Sequence, residues 1–210
     1  MTLGAHAKAE ILFEALPYLR AWSGRTVVVK LGGQALADPT LSSLVAQDIA
    51  LLTLVGIRVA IVHGGGPQVT AAMAAADIEA RFVDGLRVTD DATVEIVRAV
   101  LVGTINAQLV QQLNSAGASA VGLHGGDGGL VVVRARAPEL GRVGDVDRVD
   151  PAVVRTLLDE GYTPVIAPVA PDADGVTHNV NADAVAGAIA AALDAEKLVF
   201  LTNVAGLYRD

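Results

Sequence analysis

The sequence predicts an α/β fold, a three-layer αβα sandwich built around a mostly parallel, open sheet. Short runs rich in valine and isoleucine alternate with segments of helical length, as expected when helices connect parallel strands. Hydrophobic residues make up 52% of the 210 residues and charged residues 18%, which is enough apolar material for a sizeable core. The apolar residues are mainly alanine, valine and leucine, and only 3% of the chain is aromatic.

The composition excludes several classes of function. A formal net charge of −8 argues against a surface for nucleic acid or anionic membrane, since both require a positive field. Without cysteine there are no disulfides, thiolate nucleophiles or cysteine zinc sites. Lys8, Glu10 and Glu14 interrupt the N-terminal segment, and the longest apolar run, residues 184–193, is about half of a membrane span. We therefore expect a cytoplasmic protein with no nucleic-acid or membrane partner.

Strands are expected where apolar residues run without interruption, as in a sheet that is covered on both faces. In chain order they are 26–31 (TVVVKL), 58–63 (RVAIVH), 119–125 (SAVGLHG), 163–169 (TPVIAPV) and 197–204 (KLVFLTNV). Residues 130–150 alternate in polarity and contain turn residues, which predicts an antiparallel excursion at the edge of the sheet.

Helices are expected where apolar residues repeat at helical spacing between capping residues. They cover residues 7–22, about 41–54, a segment that begins at Pro67, residues 90–117, residues 151–161 and residues 181–195. Pro17 predicts a kink near Leu16 in the first helix. Asp90 fits the N-cap of the long helix, and Gly117 fits the position just beyond its end.

Glycine-rich turns follow four of the predicted strands. They are KLGG (30–33), HGGG (63–66), HGGDG (124–128) and NVAG (203–206). Ligands bind at the carboxyl ends of parallel strands, and successive backbone N–H groups in such turns form an anion cradle. Turns that need only a positive φ are the alternative. HGGG also forms oxyanion holes in esterases, but the G-x-S-x-G motif that this role requires is absent.

Lys30 lies at the end of the first predicted strand. The chain has three lysines against twelve arginines, so a lysine here indicates a need for a compact cation rather than for any positive charge. At the end of a buried strand its ammonium must be paired or face a ligand, because an unpaired buried charge is costly. A phosphate oxygen fits that requirement, and a side chain that reaches out to solvent is the alternative.

Two further segments carry polar residues suited to a small acidic ligand. Arg87, in GLRVTDD, follows a turn and precedes a helix, where it either clamps a carboxylate or lies exposed on the surface. In HNVNAD, Asn179, Asn181 and Asp183 lie at the start of a helix, and Asn181 fits the N-cap. The four histidines lack metal-ligand spacing, so we expect a structural role for each and no metal site.

Five motifs, taken together and in this order, resemble the N-acetyl-L-glutamate kinase family of the amino acid kinase superfamily. They are VVVKLGG (27–33), IVHGGGPQV (61–69), DGLRVTDDAT (84–93), GGDGG (125–129) and HNVNADAVAGAIA (178–190). KLGG, HGGG and NAD are shared with glutamate 5-kinase and carbamate kinase, whereas GLRVTDD beside HNVNAD is more specific. The resemblance covers essentially the whole chain and implies the amino acid kinase fold.

The resemblance implies ATP-dependent phosphorylation of the side-chain carboxylate of N-acetyl-L-glutamate, in arginine biosynthesis, with Mg²⁺ bridging the phosphates. Such a carboxylate is already ionised at pH 7, so the reaction needs no general base. The resemblance gives catalytic roles to Lys30, which stabilises the phosphoryl group, and to Asp183, which orients the lysine. It gives substrate-binding roles to Gly65, Gly66, Arg87 and Asn179. It gives phosphate- or nucleotide-binding roles to Gly32, Gly33, Asn203, Val204, Ala205, Gly206, Leu207 and Tyr208.

The resemblance also implies a domain organisation that this chain contains only in part. Residues 1–24 are expected to form a kinked N-terminal helix extension, residues 25–196 the amino-acid-substrate lobe, and residues 197–210 the start of an incomplete nucleotide-binding lobe. The family uses a second lysine in a carboxyl-terminal region that this chain does not include, and usually has aspartate at the position of Asn203. Lys197 cannot replace that lysine, because it begins the fifth strand at the end opposite the ligand rim.

A homo-oligomer is implied as well, either a dimer or a hexamer formed through the N-terminal helix. The alternative is that this helix docks as a plain amphipathic helix on its own domain. Two alternatives to the kinase activity are also open. One is a non-catalytic fragment or assembly module that retains the acetylglutamate pocket, and the other is a related kinase with another acyl acceptor.

Overall fold

The computed structural model describes residues 4–202, and the side chains of all of these except residues 34 and 35. Its strands are β1 (Thr26–Leu31), β2 (Arg58–His63), β3 (Phe82–Val83), β4 (Leu86–Arg87), β5 (Ala120–His124), β6 (Val131–Ala135), β7 (Val143–Val149), β8 (Thr163–Ala167), β9 (Val169–Pro171), β10 (Thr177–Val180) and β11 (Lys197–Leu201). Its α-helices are α1 (Ala5–Trp22), α2 (Gly33–Ala37), α3 (Pro39–Leu54), α4 (Gly66–Ala75), α5 (Asp91–Arg98), α6 (Ala107–Ala116), α7 (Ala152–Asp159) and α8 (Ala182–Ala192).

The central sheet has five parallel strands in the order β11-β1-β2-β8-β5. All five strands predicted from the sequence are therefore found in one sheet. The predicted fourth strand ends at Ala167, one residue before Pro168, and the chain continues as β9 after it. Strands β9 and β10, and the short β3–β4 hairpin, were not predicted.

A smaller four-stranded sheet, in the order β6-β7-β10-β9, lies beside the central one. Strands β6 and β7 pair antiparallel, which confirms the antiparallel excursion predicted for residues 130–150. Strand β10 pairs parallel with β7 and antiparallel with β9, so the segment that carries Asn179 is fixed on both sides.

The core has a layer on each face of the central sheet, as the αβα prediction requires. On one face Val27, Val29 and Leu31 of β1 pack with residues of α3 and α6. On the other face Val28 packs with residues of α7, α8 and the smaller sheet. Because side chains alternate along a strand, Lys30 shares the face of Val28 and points toward the layer that contains α8.

The long helix predicted from Asp90 to Gly117 is present, but its middle differs from a regular α-helix. Helices α5 and α6 are joined by a π-helical segment, Ala99–Asn106. Asp90 caps the start by accepting from the Thr93 N–H, and Gly117 has φ +102° beyond the end. The 26-residue run is long and apolar enough to cross a bilayer, but residues such as Leu101, Ile105 and Leu109 pack into the core.

Helix α1 continues through Pro17 from Ala5 to Trp22, and the kink predicted there stays a prediction. None of its residues is buried, and Phe13 and Leu12 are 73% and 64% exposed. Trp22 packs against the core at the end of the helix. The alternative in which α1 docks along its own domain is therefore wrong for this chain.

The predicted domain boundaries stay predictions. Strand β11 pairs with β1 in the central sheet, across the boundary placed at residue 197. Lys197 lies at the start of that strand, with its Nζ 5.2 Å from the centre of the Trp22 ring. It is thus at the end of the sheet opposite the glycine turns, as the sequence predicts.

Candidate active site

The turns after β1 and β2 lie against each other at the carboxyl end of the sheet. The Gly64 N–H donates to the Leu31 carbonyl at 2.8 Å, and the Gln68 side chain donates to the Gly33 carbonyl at 2.9 Å. A side chain on Gly33 would place its Cβ 2.9 Å from Pro67 Cδ. Glycine is therefore required at Gly33 for the two turns to form one continuous surface.

Three N–H groups of this surface have no acceptor within residues 4–202. They belong to Gly33, Gly65 and Gly66. Helix α4 starts at the same place with no side-chain cap, so its N-terminus adds a favourable field for an anion. The Gly32 N–H is different, because it donates to the Leu201 carbonyl at 3.0 Å. The amide predicted there as part of the cradle is occupied by a neighbouring strand, which corrects that detail of the prediction.

Gly65 is the tightest point of the turn. A Cβ at this residue would lie 2.4 Å from Ile105 Cδ1 and 2.5 Å from Leu101 Cδ2, both of which belong to buried side chains of the π-helical segment. At the next residue, Gly66, a Cβ would meet nothing within 4 Å. The π-helical segment therefore packs directly beneath the turn.

Lys30 is paired and largely buried. Its Nζ lies 2.9 Å from Asp183 Oδ1, and the two side chains are 15% and 56% exposed. Asp183 is in the first turn of α8, where Asn181 caps the helix by accepting from the Asp183 and Ala184 N–H groups. The alternative of a lysine that reaches out to solvent is therefore wrong, and Lys30 is held at the carboxyl end of β1 by a carboxylate.

A cleft of about 180 Å³ brings together all four residues predicted to bind substrate: Gly65, Gly66, Arg87 and Asn179. Its other walls come from the β3–β4 hairpin, from the long helix and from the smaller sheet, through residues that include Phe82, Leu86, Val97, Leu101 and Val143. Sequence reasoning missed these residues, because an apolar side chain lining a cleft has the same sequence signature as one in the core.

Arg87 is buried in the wall of this cleft, with 7% of its surface exposed. Its Nη2 donates to the Gly66 carbonyl at 3.0 Å and to Thr70 Oγ1 at 2.8 Å, and its guanidinium lies 4.7 Å from the centre of the Phe82 ring. Within the part of the chain described by the structure, no carboxylate forms an ion pair with it. Burial lowers the pKa of the guanidinium from its usual value. The alternative of an exposed surface arginine is wrong.

Asn179 faces the cleft from the smaller sheet. Its Nδ2 donates to Thr89 Oγ1 at 3.2 Å, and that hydroxyl donates to the Arg87 carbonyl at 2.8 Å. Thr89 is fully buried, so it connects the two cleft residues rigidly. Among residues 4–202, no donor hydrogen-bonds to Asn179 Oδ1, which leaves that oxygen available to a ligand N–H.

The HGGDG turn has a different role from the other two. The Gly125 N–H donates to the Val169 carbonyl, and a Cβ on Gly125 would lie 2.4 Å from Ala170 Cβ. The His124 N–H donates to Asp127 Oδ2. This turn packs against the smaller sheet and does not line the cleft. HGGDG is therefore not part of this cleft, although the turn follows β5 at the same edge of the sheet.

The remaining site predictions concern histidines and the nucleotide segment. Across residues 4–202 there is no group of three or more His, Asp or Glu side chains that could hold a metal ion. His63 is fully buried, and burial lowers its pKa to about 4. The predicted nucleotide-binding residues, Asn203, Val204, Ala205, Gly206, Leu207 and Tyr208, lie outside the described residues.

The sequence of the chain is similar to those of known proteins of one family. The model of the amino acid kinase family matches residues 25–210. The chain is 53% identical over 202 residues to the chloroplastic acetylglutamate kinase of Arabidopsis thaliana, covering 95% of this chain and 58% of that protein. It is 52% identical over 204 residues to the acetylglutamate kinase of Synechococcus sp. strain WH7803, covering 97% of this chain and 70% of that protein.

Solved structures support the same fold. An N-acetylglutamate synthase from Neisseria gonorrhoeae, complexed with coenzyme A and N-acetyl-glutamate, aligns with a TM-score of 0.81 at 30% identity. The alignment covers 94% of this chain and 46% of the synthase. A Giardia carbamate kinase, at 16% identity and a TM-score of 0.61, shows likeness of fold alone. The chain therefore belongs to the amino acid kinase family and, within it, to the acetylglutamate kinases.

Proposed function

We propose that the protein containing this chain transfers the γ-phosphoryl group of ATP to the side-chain carboxylate of N-acetyl-L-glutamate, giving N-acetyl-L-glutamyl 5-phosphate in arginine biosynthesis. One observation carries the proposal. Arg87, a buried arginine with no carboxylate partner in the described part of the chain, lines a small cleft together with Asn179 and with Gly65 and Gly66, whose N–H groups have no acceptor there. The cleft adjoins the start of α8, where Asp183 holds Lys30.

The cleft suits an acidic substrate with an amide group. The Arg87 guanidinium supplies the counter-charge for the α-carboxylate from the wall of the cleft. Asn179 would accept from the acetamido N–H through its Oδ1. Gly65 and Gly66 would donate from the turn after β2, where the absence of side chains lets the backbone approach the substrate closely.

Phosphoryl transfer needs positioning and charge neutralisation more than proton transfer. An oxygen of the substrate side-chain carboxylate attacks the γ-phosphorus, the bond from that phosphorus to the β–γ bridging oxygen breaks, and ADP leaves with the bonding electrons. Lys30 would neutralise the charge on the equatorial oxygens, and Asp183 would keep the ammonium in place. The N–H group of Gly33 would donate to the same oxygens, while those of Gly65 and Gly66 donate to the substrate.

The nucleotide would lie on the side of the sheet where β1 ends. Gly32 and Gly33, followed by residues 203–208, are the segments we assign to it. Gly32 would contribute by the absence of a side chain, since its N–H is already bonded to Leu201. Mg²⁺ would arrive with the ATP phosphates, where it neutralises charge.

The direct test is to incubate the chain with MgATP and N-acetyl-L-glutamate and to trap acyl phosphate with hydroxylamine. Hydroxamate formed with N-acetyl-L-glutamate and not with L-glutamate is the expected result. Product with L-glutamate alone would contradict the substrate assignment. Absence of product, with N-acetyl-L-glutamate binding still measurable by calorimetry, would contradict the activity of this chain.

A second candidate is a non-catalytic module that binds N-acetyl-L-glutamate. It is favoured by the likeness to a synthase that was solved with N-acetyl-glutamate bound. A kinase with another acyl acceptor is the nearer variant. The hydroxylamine assay, run with a panel of acyl acceptors, separates the three.

We propose further that the protein is a cytoplasmic homo-oligomer, a dimer or a hexamer, and that α1 contacts a second copy of the chain. The exposed side chains of Leu12, Phe13 and Tyr18 on a helix without buried residues support this contact. Leu12→Asp should lower the molar mass measured by light scattering, whereas Lys8→Asp, on the same helix, should leave it unchanged. An unchanged mass for Leu12→Asp would exclude α1 from the interface.

A further inference from the structure

A buried pair of side chains, His63 and Asn106, lies beneath the glycine turn and takes no part in the function proposed above. His63 Nδ1 lies 3.0 Å from the Gly64 carbonyl oxygen. Asn106 Nδ2 lies 3.1 Å from His63 Nε2 and 2.9 Å from the Val165 carbonyl oxygen. His63 and Asn106 are 0% and 5% exposed, so water does not compete for these contacts.

The surroundings of Asn106 determine which nitrogen of His63 carries the proton. The Asn106 amide faces two backbone carbonyls, those of Val165 and Leu123, and both can only accept. Its NH₂ group must therefore be the end that points toward them, and it is the same group that meets His63 Nε2. His63 Nε2 must accept, so the imidazole is protonated on Nδ1 and donates to the Gly64 carbonyl.

The orientation of the Gly64 carbonyl determines the orientation of the Gly65 N–H, because both belong to one peptide group. The described chain has no cis peptide bonds, so the Gly64 C=O and the Gly65 N–H point in opposite directions from one rigid plane. The carbonyl is held on the side of the imidazole, and the Gly65 N–H, which has no acceptor within the described residues, is left on the other side. Gly65 itself lines the cleft.

We propose that Asn106 is a positioning residue that acts through His63 on the Gly64–Gly65 peptide, and so aims the Gly65 N–H at an oxygen of the bound acidic substrate. The inference rests on the proposed function for the identity of that substrate. It adds two residues, neither of which touches the substrate, to the groups that shape the site.

The π-helical segment strengthens the assignment because it supports the turn at two points. Asn106 is its last residue, and Leu101 and Ile105 of the same segment pack against Gly65. A Cβ on Gly122 would lie 2.1 Å from Asn106 Oδ1, so the neighbouring strand leaves room for this amide. Wide π-helical turns occur frequently at functional sites. Burial also lowers the pKa of His63 to about 4, which keeps the imidazole neutral near pH 7.

The first experiment measures the tautomer of His63 by ¹⁵N NMR on the wild-type chain at pH 7, and it needs no ligand. We expect the Nδ1–H tautomer, with Nε2 unprotonated. An Nε2–H tautomer or a doubly protonated ring would overturn the proposal, since in both forms Nε2 carries a proton and cannot accept a hydrogen bond from Asn106. This measurement decides the question even if substituted chains fail to fold.

The second experiment is a double-mutant cycle read out as the affinity for N-acetyl-L-glutamate by calorimetry. Asn106→Leu should weaken binding by roughly tenfold, because a hydrogen bond to a charged group is no longer aimed. His63→Asn retains an amide donor at the Nδ1 position and should bind within about threefold of wild type. In a chain that already carries His63→Asn, adding Asn106→Leu should weaken the affinity for N-acetyl-L-glutamate by no more than about twofold further.

Asn114→Leu is the matched control, because Asn114 also bonds backbone groups from the long helix, at Ala120, but lies away from the cleft. It should lower stability and leave the affinity unchanged. Equal losses for Asn106→Leu in both His63 backgrounds, or wild-type affinity for Asn106→Leu, would overturn the proposal. If the wild-type chain does not bind N-acetyl-L-glutamate, the proposed function fails, and the tautomer still decides whether Asn106 acts on the turn.

Discussion

Replacing Arg87 with methionine should separate ligand binding from folding. Arg87 is 7% exposed, and within residues 4–202 no carboxylate forms an ion pair with it. Within those residues its charge meets only neutral partners, and an anion in the cleft would supply an ionic one. Methionine has a similar length and no charge, so Arg87→Met removes the counter-charge for the ligand and leaves an apolar side chain to contact Phe82.

The two effects have different magnitudes. Truncating one partner of a buried, hydrogen-bonded charge pair costs about 2–4 kcal/mol, which corresponds to roughly 30- to 1,000-fold in the dissociation constant. Arg87→Met lowers the free energy of unfolding by removing the hydrogen bonds to Gly66 and Thr70, each about 1.5 kcal/mol for a charged donor, and the contact with the Met73 sulfur. The same substitution also raises the free energy of unfolding, because the folded state no longer buries a cation that lacks an ionic partner among the described residues. The net change in unfolding free energy should stay within about 1 kcal/mol.

The assay is calorimetric titration with N-acetyl-L-glutamate, paired with urea denaturation of the same preparation. Arg81→Met is the control, since Arg81 is exposed and does not line the cleft. Affinity within about threefold of wild type for Arg87→Met would refute the assignment of Arg87 to the substrate carboxylate. A loss of stability above about 3 kcal/mol would refute the argument that the unliganded arginine is poorly compensated.

Three further predictions follow from single contacts. Lys30→Ala should lower the rate of acyl-phosphate formation by about 10²- to 10³-fold while the affinity for N-acetyl-L-glutamate changes little, and an unchanged rate would remove Lys30 from the mechanism. Gly65→Ala should lower the free energy of unfolding by about 1–3 kcal/mol, because its Cβ would lie 2.4 Å from a buried side chain, whereas Gly66→Ala, with nothing within 4 Å, should be neutral or slightly stabilising in urea denaturation. The pKa of His63 is about 4 in the folded chain, against an ordinary value of 6.5. Its contribution to the free energy of unfolding is therefore fully present above pH 6.5 and is lost as the pH falls toward 4, by about 3 kcal/mol in all. His63→Asn should flatten that part of the stability curve, and a curve identical to wild type would contradict the low pKa.

Local patterns in the sequence were sufficient for the main elements of the fold. The β-branched run at residues 26–31 gave a buried strand, and its two-residue alternation places Lys30 on the same face as Val28. Asp90 and Asn181 cap the helices for which the sequence proposed them. Such features depend on a few residues that are neighbours in the chain, and they can therefore be predicted from the sequence.

The less regular parts of the fold could not be predicted in this way. Strands β9 and β10 are three and four residues long, too short for a hydrophobic period to appear. A π-helix and an α-helix differ by about one residue in their hydrogen-bond spacing, and over eight residues their apolar patterns look alike. Sequence reasoning therefore assigned a regular helix to Ala99–Asn106. Both irregularities contribute to the cleft, through Asn179 and Leu101.

The sequence by itself determined the central sheet, the glycine turns at its carboxyl edge and the residue types available there. Only the tertiary structure decided which of those groups are free to bind a ligand. The Gly32 N–H is bonded to Leu201, the HGGDG turn packs on the smaller sheet, and Arg87 is buried with no acidic partner among residues 4–202. Each outcome depends on pairing between segments far apart in the chain, and such pairing is set by packing in three dimensions and leaves no local pattern in the sequence.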